Sequence, residues 1–172
     1  MEQKDNAYKG KTVLVTGCSV LLGSQLFTDL LKQGAHVRGF SRSNPLIKHP
    51  HFEWIQGDIL DAQAVEQAAK QASLIFHLAA QPSVYDSLQD PANDYAQNAI
   101  GTLNVLKAAS AHVVFSSSIA LYPKKSNNKE PDIQLQHPYA ISKYSAELFC
   151  RVFSKFGIST TILRFGYIYG LH

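Results

Sequence analysis

The segment 11–23, KTVLVTGCSVLLG, constrains this chain more than any other stretch. An apolar run rich in β-branched residues ends on Gly17, and a second glycine, Gly23, opens a helical pattern in which Leu26, Leu30 and Leu31 recur before Gly34. A buried strand that turns at a glycine directly into a helix is the opening unit of a parallel strand–helix–strand arrangement. The alternation continues. Apolar runs at residues 11–17, 36–41, 52–56, 74–80, 112–116 and 160–168 predict six strands. Helical spacing predicts helices at 23–32, behind an Asp61 cap, at 93–109 and at 138–156, with a polar loop around Pro82 and Pro91. Continuous apolar strands alternating with helices predict an α/β fold, a doubly wound parallel sheet in the order 3-2-1-4-5-6 with helices on both faces. One domain of 172 residues accommodates it.

Composition narrows the function classes. The 16 Lys and Arg against 13 Asp and Glu leave a net charge of +3 without a concentrated basic block. Lys124, Lys125 and Lys129 are dispersed among Ser and Asn in the polar stretch 123–136, which reads as a solvated loop, so nucleic-acid binding is not expected. Cys18 and Cys150 fit neither a disulfide framework nor a metal spacing. Seven histidines form no His-x-x-x-His pair, and no metal is expected. His77 reads as a hydrogen-bonded core residue and His49 and His51 as solvated. No run approaches the ~20 apolar residues of a membrane span. Met1 to Asn6 lack the apolar core of a signal peptide, so the expectation is a soluble, cytoplasmic protein.

The turn after the first strand suits a dinucleotide. Backbone N–H groups at a helix N-terminus face a pyrophosphate and the helix dipole favours its charge. Gly17 permits the tight turn and Gly23 the close packing of helix on strand, with Ser19, Val20, Leu21 and Leu22 framing the phosphates between them. Val20 stands where such turns carry a middle glycine, and its branched side chain threatens the close approach. An ordinary ligand-free strand–turn–helix is the alternative.

The second strand usually ends in an acid that bonds the adenosine ribose, but no acidic residue lies between Asp29 and Glu53. Ser41 stands there beside Arg42, with Arg38 upstream, a set better matched to a 2′-phosphate. NADP(H) is therefore expected ahead of NAD(H); the alternative is that both arginines are solvated surface charges. Asp58 either bonds the adenine amino group or caps a turn.

At the other end, Tyr139 and Lys143 lie four residues apart and share one helix face. An ammonium near a phenol lowers its pKa from about 10 and makes a general acid/base. Ser116, Ser117 and Ser118 follow at the carboxyl end of the fifth strand, where ligands of open parallel sheets bind.

The segments VTGCSVLLG, GDILD, HLAAQPSV, Asn98-Ala99-Ile100-Gly101-Thr102, VVFSSSIALY, PYAISKYSAE and LRFGYIYG, in that order, resemble the extended short-chain dehydrogenases/reductases, in particular the NAD(P)-dependent epimerase/dehydratase group. The resemblance covers nearly the whole chain and implies a Rossmann domain over residues 1–172. It implies a catalytic triad of Ser118, Tyr139 and Lys143, with Tyr139 and Lys143 also binding the cofactor and Lys143 holding the nicotinamide ribose. Asn98 falls near the cofactor and an active-site water. Leu78, Ala79, Ala80, Gln81 and Ser116 fall along the cofactor, and Asp58 and Ile59 match an adenine-contacting pair.

The implied activity is oxidoreduction of a sugar nucleotide. A carbonyl reductase using NADPH, a non-catalytic NADP(H)-binding module and an inactive remnant are the rivals. The pattern departs from the family at Val20, at Tyr167 in place of an Asn, in short stretches at 110–112 and 123–136, and in stopping at His172 before the smaller substrate domain. The resulting expectation is an apolar tail (Ile168, Tyr169, Leu171) that favours self-association or a homodimer. Cys18 reads as a small turn residue, and Tyr122 and Tyr169 as packing residues.

Overall fold

The computed structural model describes residues 7–123 and 132–170. Six strands, β1 (Thr12–Thr16), β2 (His36–Ser41), β3 (Phe52–Gln56), β4 (Leu74–His77), β5 (His112–Ser118) and β6 (Thr160–Phe165), form one sheet. The sheet order is β3-β2-β1-β4-β5-β6 and every pairing is parallel, as the alternation of apolar runs and helical patterns predicts.

The pleat sends alternate residues of β1 to opposite faces. Val13 and Val15 join Phe27 and Leu30 of helix α1 (Leu21–Lys32) and Val37 in one core. Leu14, Phe40, Ile75, Val113 and Phe115 build the other, beneath α2 (Ala62–Ala69), α5 (Gly101–Ala108) and α6 (Pro138–Lys155). Both faces of the sheet are therefore covered, and the carboxyl ends of the strands converge on one rim.

Three elements differ from the sequence reading. Strand β4 stops at His77 rather than continuing to Ala80: the Leu78 N–H is shared between the Thr16 carbonyl at 3.3 Å and the Thr16 hydroxyl at 3.2 Å, and the Ala79 N–H turns to that hydroxyl at 3.2 Å. The stretch read as a polar loop contains helix α3 (Val84–Gln89), capped by Ser83, and Pro91 is the first residue of helix α4 (Pro91–Tyr95), where a missing N–H costs nothing. The helix expected at 93–109 is a rod made of α4, a π-type turn (Ala96–Ile100) and α5. Single π turns inside α-helices widen the backbone and recur at functional sites. This one carries Asn98.

Asp61 caps α2 as expected, accepting from the N–H groups of Gln63 and Ala64. Ile168 and Tyr169 of the expected apolar tail are exposed. The readings on Met1 to Asn6, on Lys124, Lys125 and Lys129, and on Leu171 lie outside the described residues. Among the described residues no helix is long and apolar enough to cross a membrane, and no group of three His, Cys, Asp or Glu is placed to hold a metal ion.

Candidate active site

The turn between β1 and α1 is shaped by two glycines. Gly17 has φ +70° and a Cβ there would sit 2.8 Å from the backbone nitrogen of Ala79. A Cβ on Gly23 would come within 2.2 Å of the Gly17 carbonyl oxygen. Neither position admits a side chain. Helix α1 begins without a side-chain cap and without an acid in its first turn, so its N-terminal N–H groups and dipole are free of internal negative charge. Val20 is the N-cap residue, with extended backbone, and is 54% exposed, open to solvent rather than packed into the turn. Ser19, Leu21 and Leu22 flank it, half-buried, on the same rim. An uncapped helix start above a glycine-lined cradle fits a dinucleotide phosphate.

The β2 end is different from its expectation in one respect. Ser41 is buried, and its hydroxyl is engaged three times: it donates to the Ser43 carbonyl at 2.7 Å, accepts from Trp54 Nε1 at 3.2 Å and lies 3.2 Å from Cys18 Sγ. That hydroxyl is a local strut. Arg38 is also spoken for, by Glu53 at 3.0 Å and by the Lys70 carbonyl. Arg42 remains exposed at the rim, 4.0 Å from Asp58. Asp58 accepts the Leu60 N–H, which ties down its turn, while the Ile59 side chain is buried beneath Gly101. Cys18 is a buried turn residue, and burial raises its thiol pKa.

The loop after β4 is held by Asn98. Its Oδ1 accepts from Gln81 N–H at 2.9 Å while its Nδ2 donates to the Gln81 carbonyl at 3.1 Å, so one amide clamps both backbone groups of one residue. Gln81 Oε1 in turn accepts the Ser83 N–H. His77 braces the same loop from below, between Thr16 at 2.7 Å and Thr102 at 3.0 Å. Thr16 Oγ1 already accepts two N–H groups, and Thr102 gives its proton to the Asn98 carbonyl at 2.6 Å. The network therefore assigns the proton of neutral His77 to Nε2. Burial and the Lys143 charge push its pKa down to about 3.

The residues expected to be catalytic sit where β5 and α6 meet. Ser118 stands beside the Tyr139 phenol, and Ser116 Oγ donates to the His77 carbonyl at 3.0 Å. Tyr139, Lys143 and Glu147 recur at i, i+4 and i+8 on the buried face of α6. His137 caps this helix, and Tyr139 N–H donates to buried Ser87 at 3.2 Å. Lys143 is buried with its ammonium 4.6 Å above the Phe115 ring, and burial pulls its pKa down to about 8 against the opposing charge of Asp94. The expected lowering of the Tyr139 phenol is not seen. Burial raises it, Asp94 raises it further, and only the Ser118 hydrogen bond acts the other way.

Sequence reasoning missed the buried supports. Glu147 accepts from Ser117 at 2.6 Å and from both Nε (2.8 Å) and Nη2 (2.6 Å) of Arg164, whose other nitrogen donates to Tyr122. The spacing of Glu147, one turn beyond Lys143, was the available signal; the identity of its partners on β5 and β6 was not.

A family model for the NAD dependent epimerase/dehydratase family matches residues 13–172. The UDP-glucose 4-epimerase of Rhizobium leguminosarum bv. trifolii is 31% identical, the match covering 91% of this chain and 51% of the relative. Among solved structures, an epimerase from Methanothermobacter thermautotrophicus superposes with a TM-score of 0.86 at 30% identity, over 92% of this chain and 52% of the other. The Thermus thermophilus UDP-glucose 4-epimerase, solved with NAD, gives 0.80 at 29% identity over 89% and 54%. The chain spans about half the length of the curated relatives it matches.

Proposed function

The chain belongs to the NAD dependent epimerase/dehydratase family, and from that membership we propose that it binds a nicotinamide dinucleotide along the strand ends and acts on the carbinol or carbonyl carbon of a nucleotide sugar. The observation that carries the reading is the convergence of Ser118, at the end of β5, on Tyr139 and Lys143, one turn apart on the buried face of α6. The cofactor, when bound, supplies a hydride acceptor and donor. Gly17 and Gly23 leave room for its phosphates at the α1 N-terminus, and the Asn98 clamp on Gln81 gives the loop of Leu78, Ala79 and Ala80 a set path beside it.

Ser118 and Tyr139 act on the substrate oxygen. Ser118 donates a hydrogen bond to it, and Tyr139 exchanges the proton between that oxygen and its phenol. The raised phenol begins in its protonated form near neutral pH, ready to give a proton to a carbonyl oxygen. That observation also favours the second reading, a carbonyl reduction with the same residues.

Cofactor choice rests on Arg42. With Ser41 and Arg38 internally engaged, Arg42 is the guanidinium left at the rim for a 2′-phosphate, and β2 ends without an acid to meet a ribose hydroxyl. We infer NADP(H) ahead of NAD(H).

Two measurements test the reading. Titration of the protein with NADPH and NADH, followed by nicotinamide fluorescence, is expected to saturate with NADPH the tighter ligand. Tyr139→Phe is expected to abolish turnover of nucleotide sugars while leaving cofactor affinity within about threefold, since it keeps the ring and removes only the hydroxyl. Turnover that survives the change sinks the proton-transfer role. Saturable binding with no turnover by the wild-type chain makes it a binding module.

A further inference from the structure

The start of α6 leaves one donor to be satisfied from outside the helix. The first N–H groups of an α-helix have no intrahelical partner, and a buried one is costly to leave unbonded. Here Pro138 has no N–H to satisfy, and the Ala140 N–H goes to the His137 cap, to its carbonyl at 3.0 Å and its ring Nδ1 at 3.1 Å. Between them stands the N–H of Tyr139, the residue on which the proposed proton transfer turns. It donates to the hydroxyl of Ser87 at 3.2 Å, on a different helix.

Ser87 is oriented for that bond. It is the buried residue of α3 and is fully enclosed, while Val84, Tyr85 and Leu88 of the same helix are exposed. Its hydroxyl proton goes to the Val84 carbonyl at 2.7 Å, which leaves the oxygen lone pairs to accept from Tyr139. The Ser87 N–H bonds the Ser83 carbonyl at 3.1 Å, and Ser83 caps α3 by accepting the Asp86 N–H. The Ser83 N–H in turn donates to Gln81 Oε1 at 2.8 Å, and Gln81 is the residue clamped by Asn98. A short helix that exposes its apolar residues to solvent and encloses one serine is therefore bonded at one end to the loop after β4 and at the other to the backbone of Tyr139.

We propose that Ser87 is a positioning residue for Tyr139, a cap supplied by α3 to the start of α6 that fixes the backbone from which the phenol is held beside Ser118. The loop read as the edge of the cofactor site and the residue read as the proton carrier then share one hydrogen-bonded path. The catalytic consequence rests on the function proposed above; the cap itself is tested without turnover.

The experiment is amide hydrogen exchange by NMR on the full chain, wild type against Ser87→Ala. In the wild type the Tyr139 N–H is expected to exchange at least about tenfold more slowly than an unstructured amide, although the helix itself offers it no acceptor. Exchange at the unstructured rate overturns the proposal without any variant, and so decides the matter if Ser87→Ala does not fold. In Ser87→Ala, protection at Tyr139 is expected to fall about tenfold or more, while Ala140 and Ile141, which bond His137, change by less than about threefold. An even loss along the whole first turn overturns the positioning role, because it would show that Ser87 only supports the helix. The kinetic counterpart is a kcat lowered about tenfold or more with KM and NADPH affinity within about threefold, since a displaced proton carrier weakens the transition state and not the bound ground state. An unchanged kcat in a Ser87→Ala chain that has lost Tyr139 protection also overturns it. Protection lost at Tyr139 together with full turnover by Tyr139→Phe leaves the cap standing and removes the proton-transfer reading instead.

Discussion

Replacing Glu147 by Gln tests whether the strand ends that carry Ser118 are held by a buried charge. Glu147 is fully buried, bonded by Ser117 and twice by Arg164, with Arg151 at 3.4 Å from its outer oxygen. Glutamine retains one oxygen but turns an NH₂ group toward the guanidinium and leaves the Arg164 charge without its partner. Breaking a buried pair in this way costs ~3–5 kcal/mol. The Arg164 side chain is 20% exposed and keeps some hydration, which places the expected loss at the low end, about 3 kcal/mol. Against a total stability of ~5–15 kcal/mol, that leaves a folded but weakened chain at pH 7. Trp54 is the single tryptophan and reports urea unfolding by fluorescence. With a urea dependence of about 3 kcal/mol per molar for a chain of this size, the midpoint is expected to fall by about 1 M.

The pH dependence gives a second arm to that test. Burial alone would raise the Glu147 carboxyl, but the bonds from Arg164 and Ser117 outweigh it and hold the group below its ordinary range. A folded pKa below the unfolded value of about 4.3 means the contribution is complete above about pH 4.3 and is lost as pH falls through the folded value. The gap between wild type and variant should be equal at pH 7 and pH 6 and narrow only below about pH 4.3. A urea midpoint within about 0.3 M of wild type at pH 7 would refute the reasoning, because it would mean that the pair repays no more than its own desolvation.

Other predictions follow from single contacts. Gly17→Ala places a Cβ 2.8 Å from the Ala79 nitrogen at φ +70°, and is expected to cost ~1–3 kcal/mol in thermal or urea unfolding and to lower NADPH affinity by at least tenfold in the fluorescence titration. Arg42→Glu is expected to weaken NADPH at least tenfold, a loss of about 1.4 kcal/mol, while leaving NADH within about threefold; equal losses for both cofactors would show that Arg42 reads no 2′-phosphate. His77, pushed down to about 3 by burial, stays neutral where an unfolded histidine takes up a proton near pH 6.5, so stability should decline as pH falls from about 6.5 toward 5. His77→Asn should flatten that part of the melting-temperature profile. An imidazole of His77 that titrates near pH 6.5 by NMR would contradict the network drawn here.

Much of this molecule can be read directly from its residues. Strands β2 and β3 lie where their apolar runs place them, and the sheet order follows from alternating apolar strands and helical patterns. The demand for glycine at positions 17 and 23 is also local, since a strand must turn sharply into a helix there. Other elements carry no such signal. The π turn at Asn98 has no residue pattern distinct from an α-helix, and helix α3 is too short for its periodicity to stand out from a polar loop.

The candidate site divides along the same line. The shared face of Tyr139 and Lys143 follows from the helical repeat, because i and i+4 positions are neighbours on any α-helix. Which group meets each side chain depends on elements far apart in sequence: Ser117 and Arg164 on Glu147, Phe115 under Lys143, Trp54 and Cys18 on Ser41. Those pairings arise from the register of the strands and the docking of the helices. Periodicity reports which side of an element is buried, but the group that faces it across the core decides its charge, its hydrogen bonds and whether it is free to meet a ligand. The sequence by itself determined the parallel sheet, the glycine-shaped turn and the shared helix face of Tyr139 and Lys143; only the tertiary structure decided that Ser41 is a strut, that burial raises the Tyr139 phenol and that Lys143 is buried over the Phe115 ring.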